Sequence, residues 1–196
     1  MIDRGRPRSE DARRAVLDAA LRLCERDGYQ QLTIKAIATE AGVGRQTVYR
    51  WWPDKAEILM EALVELAESL DLREPIGSGD TLSDVRALLS ITYSLTQSIT
   101  GQAIVGLMSD AQADPALSVK LQGNVIGPRR DALREILRRG VDRGEVSAAV
   151  SLDLVVDFAF GAMWYRLLSR HAPVNEELAD KVADVVARLL AVEPSR

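Results

Sequence analysis

The chain reads as all-α: a three-helix N-terminal head and a larger C-terminal helical bundle, about nine helices in total, with a second copy as partner. Three observations predict this. Apolar residues recur at three- and four-residue spacing, as in Ile34, Ile37, Ala38 and Ala41, the period of one helix face. Leu32–Lys55 reads as two short helices joined by a tight glycine turn. Between Leu152 and Leu168 only Asp153, Asp157, Gly161 and Arg166 interrupt apolar residues, so that helix needs cover on nearly every side.

In chain order, Met1–Arg8 reads as an arm, with Arg4, Arg6 and Arg8 set around Gly5 and Pro7. With only Met1 and Ile2 apolar beside its charges, it is expected to be disordered when free. Arg-Gly-Arg-Pro suits a narrow A·T minor groove, where negative potential is focused; the alternative is a solvated tail with diffuse attraction. A first helix is expected from Ser9 or Glu10 to Arg26, with Ala12, Val16, Ala19, Ala20 and Leu23 on one face. Arg13, Arg14 and Arg22 lie off that face and are expected in solvent, one of them near a phosphate. Tyr29 and Leu32 are expected to pack back beneath the next two helices.

Thr33 can cap the first of these by accepting from an amide one turn in, and Gly42 supplies the left-handed conformation that ends it. The second opens at Gly44 or Arg45 and runs through Trp51. Val48 and Trp52 face inward, while Arg45, Gln46, Thr47, Tyr49 and Arg50 cannot all be buried. Ala38 at the crossing, Gly42 at the turn and Val48 on the inner face make a helix-turn-helix arrangement. A helix apolar behind and rich in donors in front is what a DNA major groove admits. Arg45, Gln46 and Thr47 are therefore expected to read base edges. Thr33, Tyr49, Arg50, Trp51 and Lys55 are expected to hold phosphates and set register.

Over Ala12–Leu63 the sequence resembles the tetracycline-repressor-like (TetR) regulators. Gly28-Tyr29, Ile37-Ala38, Ala41-Gly42-Val43, Val48-Tyr49 and Pro53-Asp54-Lys55 carry the likeness, and Arg143-Gly144-Glu145 and the last two helices carry it further on. The resemblance implies an all-helical homodimer that represses transcription until a small molecule binds its C-terminal domain, and it makes Lys55 a backbone contact. Arg50-Trp51-Trp52 departs from the tyrosine or tryptophan, histidine and phenylalanine that members often carry there.

Asp54 and Glu57 have capping-box spacing at the start of a helix from Lys55 to about Leu70, buried through Ile58, Leu59, Ala62, Leu63 and Leu66. That helix joins head to body, which makes it the expected lever for a signal. Glu74–Asp80 is the clearest break. Helices are then expected from Thr81 or Ser83 to Ile99, from Gly101 to Gln112, and from Asp114-Pro115 to Arg143, the last kinked or split at Gly127-Pro128. Ser151 opens the apolar helix to Arg170, and Asn175 caps the final one. Leu152, Val156, Phe158, Met163, Leu167, Val182, Val186 and Leu189 are the expected interface, two helices from each copy forming an isologous four-helix contact. The functional division falls at 54/55: residues 1–54 for DNA, 55–196 for ligand and dimerisation.

The net charge of −4 conceals an asymmetry: residues 1–55 carry 11 Lys/Arg against 8 Asp/Glu, and the rest carry 14 against 21. A basic head on an acidic body favours docking by one end. The single cysteine, Cys24, excludes an intramolecular disulfide and reads as a small buried hydrophobe rather than a redox sensor. His171 is the only histidine, which excludes multi-histidine and histidine–cysteine metal sites. No phosphate-binding glycine loop or nucleophile elbow appears, so neither catalytic residues nor cofactors are expected. The longest uncharged run, Ala87–Ser109, has 23 residues, 11 of them Ser, Thr, Gln or Gly, too polar for a membrane span. A cytoplasmic location follows as the expectation.

That same run mixes apolar residues with hydroxyls and amides, as a cavity for a largely neutral, hydrophobic effector would. Tyr93, Thr96, Gln97, Met108, Phe160 and Trp164 are the candidate lining, or else they simply fill core. The expected partners are double-stranded DNA with a palindromic operator, a second copy and a small-molecule effector. The alternative is a ligand-independent architectural or protein-docking module.

Overall fold

In the computed structural model, residues 6–70, 77, 79–97 and 99–191 are described, and among them every regular element is helical. Helix α1 (Arg6–Asp27) begins three residues before the expected start. Pro7 falls in its first turn, where a missing N–H costs nothing because that amide has no partner in any helix. A 3-10 turn (Tyr29–Gln31) then leads to α2 (Ile34–Glu40), α3 (Arg45–Trp51) and α4 (Lys55–Ser69). After Thr81 come α5 (Thr81–Gln97), α6 (Ile99–Ala111), α7 (Pro115–Leu121), α8 (Gly127–Asp142), α9 (Leu152–Ser169) and α10 (Glu176–Leu189).

Between α7 and α8, residues Gln122–Ile126 form a π-helical turn, so 115–142 is one helical run with a defect in it. The physical cause is Pro128: it has no N–H for the carbonyl four residues back, and the ladder re-registers in the turn just before it. Counted as one helix, the run brings the described helices to the nine expected.

The described chain forms two compact units. One comprises Met1–Leu70 and Ile99–Val125; the other comprises Asp71–Ser98 and Ile126–Arg196. In the first, α1 packs against α2, α4 and α6. Val16, Ala19, Ala20, Leu23, Ile37, Val48, Ile58, Leu59 and Leu107 form its buried centre. In the second, α5 packs on α8 and α10, and α9 on α8 and α10, around Leu88, Leu89, Tyr93, Leu133, Leu137, Val156, Phe160 and Val186.

The Arg143-Gly144-Glu145 segment has a structural explanation within the second unit. Glu145 accepts from the Thr81 amide at 3.0 Å and from its hydroxyl at 2.5 Å, capping α5 from 64 residues away. Arg143 donates to the same carboxylate at 2.5 Å. These bonds, that of Arg143 first, hold the Glu145 pKa down at about 2 against an ordinary 4.5. A depressed carboxylate stabilises the fold above its unfolded value and loses that contribution as pH falls through the folded one. Melting temperature is therefore expected to fall between about pH 4.5 and pH 2, and a Glu145→Gln chain should melt lower at neutral pH and lack this component of the acid transition. An identical acid profile for both chains, followed by circular dichroism, would remove the cap from the account.

Candidate nucleic-acid interface

The helix-turn-helix is held by local hydrogen bonds. Thr33 takes an extended conformation and its hydroxyl accepts from the Ala36 amide at 3.1 Å, as a cap should. At the other end of α2, Gly42 has φ 66°, open to glycine without strain. The Val43 amide donates to the Ala38 carbonyl at 3.0 Å and the Gly42 amide to the Thr39 carbonyl at 3.2 Å, the paired bonds of a Schellman ending. This turn aims α3 away from α2. Ala38 is buried at the crossing, and Val48 and Trp52 are buried behind α3.

The opposite face of α3 is open. Arg45, Gln46, Tyr49 and Arg50 are exposed, at spacings that put them on one side of the helix, and Thr47 and Trp51 are half-buried beside them. Such a face offers a guanidinium, an amide and a phenol together, donors and acceptors matched to base edges and phosphates. The Thr33 hydroxyl accepts as a cap, which still leaves its proton for a phosphate oxygen.

Lys55 is more constrained than a surface lysine. It opens α4, where the Asp54 side chain accepts from the Glu57 amide at 3.0 Å. Its ammonium donates to the Tyr29 carbonyl at 2.8 Å and lies 4.3 Å from the centre of the Tyr29 ring. One of its three N–H donors is thus occupied, and the ammonium is held beside the helix-turn-helix rather than swinging in solvent. Tyr29 itself is buried, its hydroxyl donating to Asp110 at 2.5 Å. Burial, then the hydrogen bond to Asp110 and the charge of that carboxylate, push its pKa well above the usual value.

Sequence reasoning missed the ion cluster behind the head. Arg13, expected in solvent, is half-buried between α1 and α4: it bonds Glu61, and reaches Glu65 and Glu10 at 3.1 Å each. Glu61 and Glu65 stand one turn apart on α4, a like-charge pair that disfavours a helix unless a cation lies between them. That spacing was the available signal. Arg14 approaches Glu65 at 3.7 Å and Arg22 is exposed. Of the arm, Arg4 lies outside the described residues, as do the side chains of Arg6 and Arg8.

The candidate ligand residues fall in both units. Tyr93 is fully buried with its hydroxyl donating to the Ala159 carbonyl, and Phe160 belongs to the same core. Thr96 donates to the Tyr93 carbonyl at 2.8 Å, and Thr92 to that of Leu88 at 2.7 Å. The protons of both hydroxyls are turned back onto helix carbonyls, the nearest acceptors for a buried O–H. Trp164 is half-buried against the core, Gln97 is exposed, and Met108 belongs to the other unit.

The expected interface divides in two. Val156, Met163, Val182 and Val186 are buried in the core of their own unit. A straight helix has only one face left once another is committed to α5 or α8, so these four must be corrected from interface to core. Leu152 and Leu167 are partly buried against that core. Phe158 and Leu189 are exposed, as are Leu154, Tyr165, Leu168 and Val185, all six at 37–67% of their full accessibility.

Cys24 is buried, and burial raises its thiol pKa to about 11, far from a reactive thiolate. Among the described residues no group of three or more His, Cys, Asp or Glu could hold a metal, and no helix is long and apolar enough to cross a membrane.

Comparison with known proteins places these features. Residues 75–186 match the family described as tetracyclin repressor-like, C-terminal domain, and residues 16–62 match the bacterial regulatory proteins of the tetR family. The HTH-type transcriptional regulator YdeS of Bacillus subtilis is 31% identical over 88% of this chain and 86% of its own. The crystal structure of the TetR family transcription regulator SCO0332 is 30% identical and superposes with a TM-score of 0.69 over 94% of this chain and 100% of that one. FadR of Bacillus subtilis, solved in complex with stearoyl-CoA, is 21% identical and shares the fold with a TM-score of 0.70 over 88% and 96%. With both halves of the chain matched and an exposed donor-rich helix set in a helix-turn-helix, the chain belongs to the TetR family and is a DNA-binding transcriptional regulator.

Proposed function

We propose that the chain is a homodimeric cytoplasmic repressor that two α3 helices seat on a palindromic operator and that an apolar effector releases. The observation that carries this is the two-sidedness of α3: Val48 and Trp52 buried, Arg45, Gln46, Tyr49 and Arg50 exposed. Residues 1–54 bind DNA and 55–196 carry the effector and dimer functions. Arg45 pairs with guanine, Gln46 with adenine, and the Thr47 methyl meets thymine. Thr33, Tyr49, Arg50, Trp51 and Lys55 hold phosphates, and Arg4, Arg6 and Arg8 enter the minor groove. Two heads related by a dimer axis require half-sites one helical turn or more apart.

The dimer face is built from Leu154, Phe158, Tyr165 and Leu168, whose spacings of four, seven and three place them on one side of α9, with Val185 and Leu189 on α10. An unpartnered apolar face of this kind marks an association site, and a two-fold axis would set it against its own copy. FadR, solved with stearoyl-CoA, supports an effector with a long apolar portion, since the stearoyl chain is apolar although the coenzyme A it is joined to carries phosphates. Such a ligand acts only by favouring the conformation with misplaced heads, because equal affinity for both states shifts nothing.

Selection of bound sequences from random duplexes tests the reading and yields the half-site spacing. Arg45→Ala is expected to lower preference at one operator position by about tenfold or more. Lys55→Ala is expected to weaken all sequences alike and to shallow the salt dependence by about one phosphate contact. Selection that returns no enriched sequence would defeat the proposal.

A further inference from the structure

We propose that Glu61 and Arg13 are positioning residues for DNA binding, acting through a ladder of side chains, Glu61–Trp52–Trp51–Arg50, that runs from α4 to the outward face of α3. The inference rests on the reading of α3 as the recognition helix.

The first rung is a hydrogen bond. Trp52 follows α3 and is buried, and the indole N–H is the one polar atom on its ring. It donates to Glu61 at 2.6 Å. A charged acceptor makes the bond stronger and more directional than a neutral one would. Glu61 is itself held, because Arg13 bonds its other oxygen while also reaching Glu65 and Glu10. The rigid guanidinium fork thereby fixes where the Glu61 carboxylate can be, and so how the Trp52 ring is turned.

The next rungs are ring contacts. Trp52 and Trp51 meet edge to face, their centroids 5.4 Å apart and their planes at 88°. Trp51 is half-buried, and the Arg50 guanidinium lies 5.9 Å from its ring centre. Fixing Trp52 therefore restricts Trp51, and Trp51 restricts Arg50. These last two are the groups proposed to hold phosphates at the C-terminal end of α3. A phenylalanine at position 52 would fill the core without offering an N–H. The three residues Arg50-Trp51-Trp52 thus act together, and the indole is what lets α4 take hold of them.

Arg13 and Glu61 keep 29% and 40% of their side-chain accessibility. A pair so open to water contributes little to stability. The ladder therefore shows in where the phosphate contacts sit rather than in the melting temperature, and the two effects can be separated.

The test is a double-substitution cycle on the full chain, using the duplex returned by selection. Arg50→Ala and Trp52→Phe are measured singly and together, with salt dependence and melting temperature recorded for each. The ladder predicts that Trp52→Phe lowers affinity about tenfold and shallows the salt slope by about one contact while the chain still melts as a folded protein. It also predicts that Arg50→Ala then costs little more in the Trp52→Phe background. Glu61→Gln, which leaves ring and core volume untouched, should reproduce the loss and the non-additivity, and it decides the matter if Trp52→Phe does not fold. Additive effects, or wild-type affinity and slope for Trp52→Phe and Glu61→Gln, would overturn the ladder. Arg45→Ala separates the two levels: if it lowers preference at its operator position while Trp52 and Glu61 variants are silent, only the ladder fails. If it too leaves preference intact, the recognition-helix reading fails with it.

Discussion

A chain in which Phe158 and Leu168 are both replaced by glutamate is expected to be monomeric and to lose operator binding by about a hundredfold or more. Both side chains are exposed on α9, at 42% and 55%, on the face shared with Leu154 and Tyr165. In an isologous contact each substitution appears twice, so the pair would put four carboxylates into an apolar seam. Burying unpaired charges costs several kcal/mol per ion after relaxation, more than a standard interface has to spare. Because the two residues point away from the core of their own unit, the monomer should keep its helicity and melting transition. Sedimentation velocity and duplex binding measure the two outcomes. A persistent dimer would show that the copies meet elsewhere, and a monomer with full operator affinity would show that pairing is not needed.

Gly106→Ala should be strongly destabilising, with the closest clash that an added Cβ meets among the described glycines of the first unit. A Cβ there would lie 2.0 Å from Cγ of Tyr29 and 2.5 Å from its Cβ and Cδ1, closer than atoms can come. Glycine inside a helix is ordinarily the weaker choice by about 1 kcal/mol against alanine, so alanine should help unless something occupies its place. Here the Tyr29 ring does. Displacing it breaks the hydroxyl bond to Asp110 and moves the carbonyl that holds Lys55. We expect a loss of about 3 kcal/mol from overpacking and the broken bonds together, or roughly 6–12 °C in melting temperature for a chain of this size. Shrinking the ring in the same chain, with Tyr29→Leu, should recover part of the loss, because the two changes share one space. Calorimetry that shows Gly106→Ala as stable as the parent would mean the ring is not held against α6.

The parts of this protein legible in its sequence are those governed by neighbours within one helical turn. Thr33, Asp54 and Asn175 cap their helices because a short polar side chain in an extended conformation reaches an amide two or three residues on. Gly42 ends α2 because a positive φ is open to it. The inward Val48 and outward Arg45, Gln46, Tyr49 and Arg50 follow from the helical period alone.

What only the tertiary structure decided involves partners dozens of residues away. Arg13 meets Glu61 and Glu65 across 48 and 52 positions, and Tyr29 meets Asp110 across 81. Nothing local to Arg13 distinguishes it from the exposed Arg22. The apolar character of α9 showed that the helix needed cover but not which side its own unit supplies, since a stripe with no polar face carries no direction. Packing against α5, α8 and α10 took Val156 and Met163 for the core and left Phe158 and Tyr165 outward. A side chain's chemistry is local, but its surroundings are set by which helices close over it, and that choice belongs to the folded chain.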